Sequence, residues 1–210
     1  ALGWAAWKTY VGRPETNVTR CKSLGVLGSA LRSSQNEQAL PVLEANLALV
    51  RRYWSCHVDE ILCAQGNIAC CLDSLVLYEE SLVLKREVYA GHVSYFGVSH
   101  ERTILNGNNL MKSLATCGIF DEARSLGRKL LDIANKSLGP SHSSSIYARL
   151  RLAHALFLDP AATRDDLIEC VAMLEDIAPR CRRVIGPAHP VTRANEANIE
   201  QVRKMLRQRW

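Results

Sequence analysis

Between Thr103 and Thr116 the apolar residues fall at Ile104, Leu105, Leu110, Met111 and Leu114, with mostly polar residues between them. That three-to-four spacing puts the apolar side chains on one side of a helix and predicts a single buried stripe. Cys117-Gly118 ends the helix, because glycine accepts the left-handed backbone found at helix termini. A second stripe, Ala123, Leu126, Leu130, Ile133 and Ala134, predicts a partner helix from about Phe120 to Leu138. Gly139-Pro140 stops it, and Ser143–Ser145 offers caps for another helix. No alternating run bounded by turn residues suggests a strand, so the chain reads as all-α.

The pattern then returns. Asn67-Ile68-Ala69-x-x-Leu72, Asn109-Leu110-Met111-x-x-Leu114 and Arg151-Leu152-Ala153-x-x-Leu156 are spaced by steps of 42 residues. The same step carries Glu79-Glu80-Ser81 onto Asp121-Glu122-Ala123, and Phe96-Gly97-x-x-His100 onto Leu138-Gly139-Pro140-x-His142. A last copy, Ile185-Gly186-Pro187-Ala188-His189, arrives after 47 residues, which puts a five-residue insertion in the fourth repeat. Self-similarity at this length marks stacked helical repeats and points to a binding role. Helix pairs are expected over about 17–53, 59–95, 102–138 and 143–185, with a single capping helix at about 190–208. The corresponding repeats span about 17–58, 59–100, 101–142 and 143–189, so the array fills 17–210 after an N-terminal cap or linker at 1–16. Trp4, Ala5, Ala6, Trp7 and Tyr10 supply that cap, and Pro179 is expected to kink or break its helix.

Composition narrows the class. Apolar content of 48% suits a folded chain, and no stretch approaches the length of a membrane span. Ala1–Tyr10 lacks the layout of a signal peptide, and the chain reads as a mature or excerpted piece. The eight cysteines include no Cys-x-x-Cys, and no metal or other cofactor is expected. They read as reduced, mostly packing residues of a cytoplasmic, reducing compartment, where the Asn17-Val18-Thr19 and Asn135-Lys136-Ser137 sequons are chance matches. Net charge is +5, and residues 180–210 alone contribute +6.

Small residues at Ala39, Ser81 and Ala123, with Ala69 and Ala153, mark places where paired helices approach closely. Together with Leu72, Leu114 and Leu156, and with Tyr78 and Phe120 opening second helices, they resemble tetratricopeptide repeats. The long period, with Gly97/His100, Gly139/His142 and Gly186/His189-Pro190-x-Thr192 before new first helices, resembles the kinesin-light-chain variety over roughly 17–208. Gly25 departs from the pattern in the first repeat, where no His precedes the following helix.

The resemblance implies a right-handed superhelix, an α-solenoid of about four helix pairs plus the cap. Its first helices would line a concave groove for extended peptides. The asparagines that match the family's ligand-binding ladder are Asn67, Asn109 and Asn198, with Arg151 in the fourth repeat. A carboxamide both donates and accepts, so it can pair with a peptide N–H and C=O together. Asn108, Lys112, Tyr147 and His154 are expected on the same wall, where their charge favours acidic or C-terminal segments.

Other readings stay open at this level. The asparagines can instead bond neighbouring backbone and fix the register between repeats. His100, His142 and His189 are expected to bond backbone at the turns, being too far apart along the array to share a metal. No phosphate loop, nucleophile elbow or zinc-protease motif occurs, so the chain is not expected to be an enzyme. The expected partner is a protein or peptide. The alternatives are a subunit of a larger assembly docking by its convex face or termini, and an anionic-surface or nucleic-acid binder using residues 180–210.

Overall fold

Polar caps and left-handed turns set the boundaries of several helices. The computed structural model describes residues 2–34 and 37–209. Ala1, Gln35, Asn36, Trp210 and the Arg209 side chain counted in the basic segment lie outside the described residues. Among the described residues the chain forms ten α-helices and one π-helical turn, with no strand, and it divides into two compact units, 1–95 and 96–210.

The first unit holds α1 (Leu2–Tyr10), α2 (Val18–Ser33), α3 (Ala39–Tyr53), α4 (Val58–Ser74) and most of α5 (Tyr78–Phe96). Asn17 starts α2, its side-chain oxygen accepting from the Arg20 N–H at 3.0 Å. That bond satisfies one of the amides every helix N-terminus leaves over. Leu24, Leu27 and Leu31 of α2 close a core with Ala39 and Leu43 of α3 and Ile68 and Cys71 of α4. Trp7 packs against this cluster, whereas Trp4 stays exposed. The α4–α5 pair encloses an ion pair: Lys85 Nζ lies 2.5 Å from Asp73 Oδ2 with its side chain 5% exposed. Ser81 Oγ lies 2.6 Å from the other oxygen of Asp73 and donates to the Ala69 carbonyl at 2.8 Å.

The second unit holds α6 (Glu101–Thr116), α7 (Phe120–Ser137), α8 (Ser143–Leu158), α9 (Arg164–Arg180), the π turn (Cys181–Ile185) and α10 (Pro190–Arg209). Ile104, Met111 and Leu114 of α6, Leu130 of α7 and Ile146, Leu152 and Leu156 of α8 are all fully buried. Gly127 lets α7 close onto this pair. A Cβ there would sit 2.6 Å from Met111 Sδ and 3.0 Å from Leu152 Cδ1. Cys170 of α9 occupies a small-residue position, as expected, and its thiol donates to the Ala153 carbonyl at 3.3 Å. Cys21 and Cys170 are buried, and burial pushes their thiols up to about 11 and about 12. Cys56 and Cys63 are exposed.

The recurring histidines are helix caps. His100, His142 and His189 each accept through Nδ1 from a backbone N–H two residues on, of Arg102, Ser144 and Val191, at 3.2 Å. Gly97, Gly139 and Gly186, three residues before them, take φ of 83°, 87° and 106°, a region only glycine enters without strain. The five extra residues of the fourth repeat are shared between its turn and its second helix. Helix α7 begins four residues after α6 ends, α9 begins six after α8 ends, and α9 runs on into the π turn.

Pro179 does not break its helix, one of the two outcomes expected of it. The α-helix continues through it to Arg180, and the ladder then widens to i→i−5, with the Gly186 N–H donating to the Cys181 carbonyl at 3.1 Å. Losing one donor is a local deficit that packing on both sides can absorb. Ile177 and Ala178 before the proline and Cys181 after it are buried.

Candidate functional site

First helices carry the expected ligand residues, and capping plus packing decides which way each one points. On α4, Asn67 is half-buried, and its carboxamide makes no hydrogen bond within the described residues. On α6, Asn109 is likewise half-buried and unbonded, while Lys112 one turn further is exposed. Asn198, the corresponding residue of α10, is half-buried as well.

Asn108 departs from its expected place on the wall. It is buried between α6 and α8, where Nδ2 donates to the Ser144 carbonyl at 3.0 Å and Oδ1 has no partner. One step along a helix turns a side chain by about 100°, so neighbouring asparagines face different ways. Asn108 therefore fixes the register of consecutive first helices, the structural use that Asn109 does not show. Asn195 does the same between α10 and α9, donating to the Leu174 carbonyl at 3.2 Å. Sequence reasoning passed over Asn195, although it stands three residues before Asn198.

On α8, Tyr147, Arg151 and His154 are four and three residues apart and share one face, each half-buried. Arg151 makes no ion pair or hydrogen bond among the described residues. Burial lowers the proton affinity of its guanidinium and the Tyr147 hydroxyl opposes that, yet an arginine stays cationic. His154 Nδ1 is buried without a partner, and the ring stands edge-on to Phe157 with centroids 5.2 Å apart. Burial first, and then the charges of Arg151 and Lys112, hold His154 below the usual histidine range. The structure thus brings Lys112, Tyr147, Arg151 and His154 together in the second unit. Asn67 lies in the first.

The basic C-terminal segment is partly neutralised. Arg180 pairs with Asp176 at 2.8 Å, Arg182 with Glu196 at 2.7 Å, and Arg203 with Glu175 at 2.7 Å and Glu200 at 3.2 Å. Among the described residues no group of His, Cys, Asp and Glu is placed to hold a metal ion, and no helix is long and apolar enough to cross a membrane.

Paired antiparallel helices, small residues between partners and first helices in register define an α-solenoid of tetratricopeptide type. Solved structures of that kind share the fold. The nearly identical TPR-like repeats of a kinesin light chain from Podosopora anserina match 94% of this chain and 90% of their own, at 19% identity and TM-score 0.72. BtubC (BKLC) from P. vanneervenii matches 98% of this chain and 88% of its own, at 11% identity and TM-score 0.59. Rap protein complexed with Competence and Sporulation Factor matches 97% of this chain and 56% of its own, at 16% identity and TM-score 0.59. No protein-family description matches the sequence, and no curated protein does either.

Proposed function

We propose that the chain is a non-catalytic protein-interaction scaffold that holds a peptide segment of a protein partner against its first helices. The observation that carries this reading is the unspent hydrogen-bonding capacity of Asn67 and Asn109, half-buried at equivalent positions of α4 and α6. Inter-repeat bonding, the competing use of such asparagines, falls instead to Asn108 and Asn195. A carboxamide left over on a helix face can take both the N–H and the C=O of an extended ligand. Rap, similar in fold, is solved in complex with a factor, which supports the same use of these helices here.

Arg151, in the ladder position of the fourth repeat, adds a cation with no carboxylate of its own. It makes the α8 part of the wall electropositive and favours acidic ligand segments. Nucleic-acid binding through residues 180–210 draws little support, because three of those arginines are already spent on carboxylates.

The test is binding to an array of extended synthetic peptides, comparing the intact chain with an Asn67→Ala/Asn109→Ala variant. Loss of binding by about tenfold or more, with thermal unfolding unchanged, is the expected result, since each lost hydrogen bond to a ligand is worth about 1 kcal/mol. Equal binding by both would move the interaction to the convex face or the termini.

A further inference from the structure

Leu75, Val76, Leu77 and Tyr78, at the turn between α4 and α5, are exposed in succession. Elsewhere among the described residues large apolar side chains are exposed one at a time, which is ordinary for a folded surface. A contiguous run is different. It favours aggregation and serves a protein only where something covers it.

The turn itself does not require these residues. The corresponding turn of the next repeat, between α6 and α7, reads Cys117-Gly118-Ile119-Phe120, and there Cys117 and Phe120 are half-buried. Gly118 supplies the left-handed backbone, φ 75°, at no steric cost. Val76 takes the same conformation, φ 66°, although a β-branched side chain is strained in it. Hydrogen bonds hold the strained turn in place. The N–H groups of Leu75, Val76 and Leu77 donate to the carbonyls of Cys71, Asp73 and Leu72 at 3.1, 3.2 and 3.0 Å. The apolar side chains therefore stand on a fixed backbone, a display that loses little freedom on binding. Strain retained where glycine would relieve it points to a side chain kept for what it touches.

Charge says what that is. Glu79 and Glu80 follow the apolar run, both exposed and without a hydrogen bond or ion pair among the described residues. In the next repeat Asp121 stands in the place of Glu79 and is spent on Arg124. Buried Leu82 stands in the place of Arg124, so the carboxylates beside this turn keep their charge for another molecule.

We propose that the α4–α5 turn is a docking surface for a protein segment whose apolar residues are flanked by lysine or arginine. Its apolar side chains take Leu75, Val76 and Leu77, and its cations meet Glu79 and Glu80. A second copy of this chain paired symmetrically through the same turn would set these carboxylates against their own duplicates. An anionic lipid surface would repel them as well. The contact is small and hence transient. It lies on a turn, apart from the first-helix face read above as the peptide site.

The experiment measures binding of the full chain to two degenerate peptide libraries with the same apolar positions. One carries Lys and Arg at its charged positions, the other Asp and Glu. The basic library is expected to bind at least about tenfold tighter at low salt, with the difference shrinking as salt rises. Backbone NMR shifts should gather at residues 75–80. Val76→Asn, with a side chain that enters left-handed backbone, should weaken binding by about threefold or more without lowering the thermal midpoint. Val76→Gly should do the same, and Glu79→Gln with Glu80→Gln should erase the preference for the basic library. Equal binding of the two libraries, shifts away from residues 75–80, or Val76→Asn binding as the parent does would each overturn the proposal. Dimerisation through the turn in sedimentation, or tighter binding to phosphatidylserine vesicles than to the basic library, would overturn the choice of occupant. The Asn67→Ala/Asn109→Ala variant should bind the basic library as the parent does, which keeps the outcome independent of the groove reading.

Discussion

Val76 and Gly118, 42 residues apart, take the same left-handed backbone at the ends of α4 and α6, with φ of 66° and 75°. In both turns the residue after them donates back five positions, Leu77 to the Leu72 carbonyl at 3.0 Å and Ile119 to the Leu114 carbonyl at 2.9 Å. The turn is the same, but one of its two residues is β-branched, and that conformation costs such a residue about 1–2 kcal/mol.

Val76→Gly should therefore stabilise the protein. Val76 is 66% exposed, so little packing is lost, and the relief exceeds the extra chain entropy of glycine by roughly 0.5–1 kcal/mol. Thermal unfolding should shift up by about 1–4 °C for a domain of this size. An unchanged or lower midpoint would mean that the turn holds no releasable strain.

The Lys85–Asp73 pair predicts a contrast between single and double changes. Position by position, Asp73, Ser81 and Lys85 correspond to Ala115, Ala123 and Gly127 of the next repeat, where no charge is needed. Lys85→Met takes the buried ammonium away from the partly buried Asp73 carboxylate and should cost about 3–5 kcal/mol. Asp73→Ala added to it should recover most of that loss, read by denaturant midpoints of the three proteins. A double variant as unstable as the single would show that shape, and not charge, is what Lys85 supplies.

Adjacent asparagines should separate stability from binding. Asn108→Ala removes the bond to the Ser144 carbonyl and opens space between α6 and α8, at a cost of about 1–3 kcal/mol. Asn109→Ala should change stability by less than about 0.5 kcal/mol, as a partly exposed side chain without a partner does. Urea unfolding of both variants makes the comparison.

Asp166 should make the start of α9 sensitive to acid. Thr163 and Asp166 form a reciprocal cap, in which the Thr163 hydroxyl and N–H both donate to Asp166 Oδ2, at 2.7 and 2.9 Å. These bonds hold the Asp166 carboxyl below its usual range, with burial opposing. A lowered folded value means the contribution is complete above the unfolded pKa of about 3.9 and fades as pH falls through the folded one. Asp166→Asn should thus destabilise at neutral pH, by about 0.3–1 kcal/mol, and converge with the parent once the pH falls below the lowered folded value. Parallel melts across that range check it, and a difference independent of pH would mean that the charge plays no part.

The sequence by itself determined what recurs. Helix stripes at Ile104–Leu114 and Ala123–Ala134, glycines three residues before cap histidines, and small residues between helix partners are local rules of backbone and capping, which one chain states openly. The candidate ligand residues Asn67, Asn109, Arg151 and His154 were legible for the same reason, as polar residues at repeated first-helix positions. Tertiary structure decided what those residues face. A rotation of about 100° per residue sends Asn108 between helices and leaves Asn109 unbonded, a difference no propensity encodes. Packing on either side of Pro179 carried the chain through a residue that local rules read as a kink or a stop, and the α4–α5 interface alone made an ion pair of Lys85 and Asp73. Periodicity is a property of the chain, whereas burial and partnership arise only when helices meet.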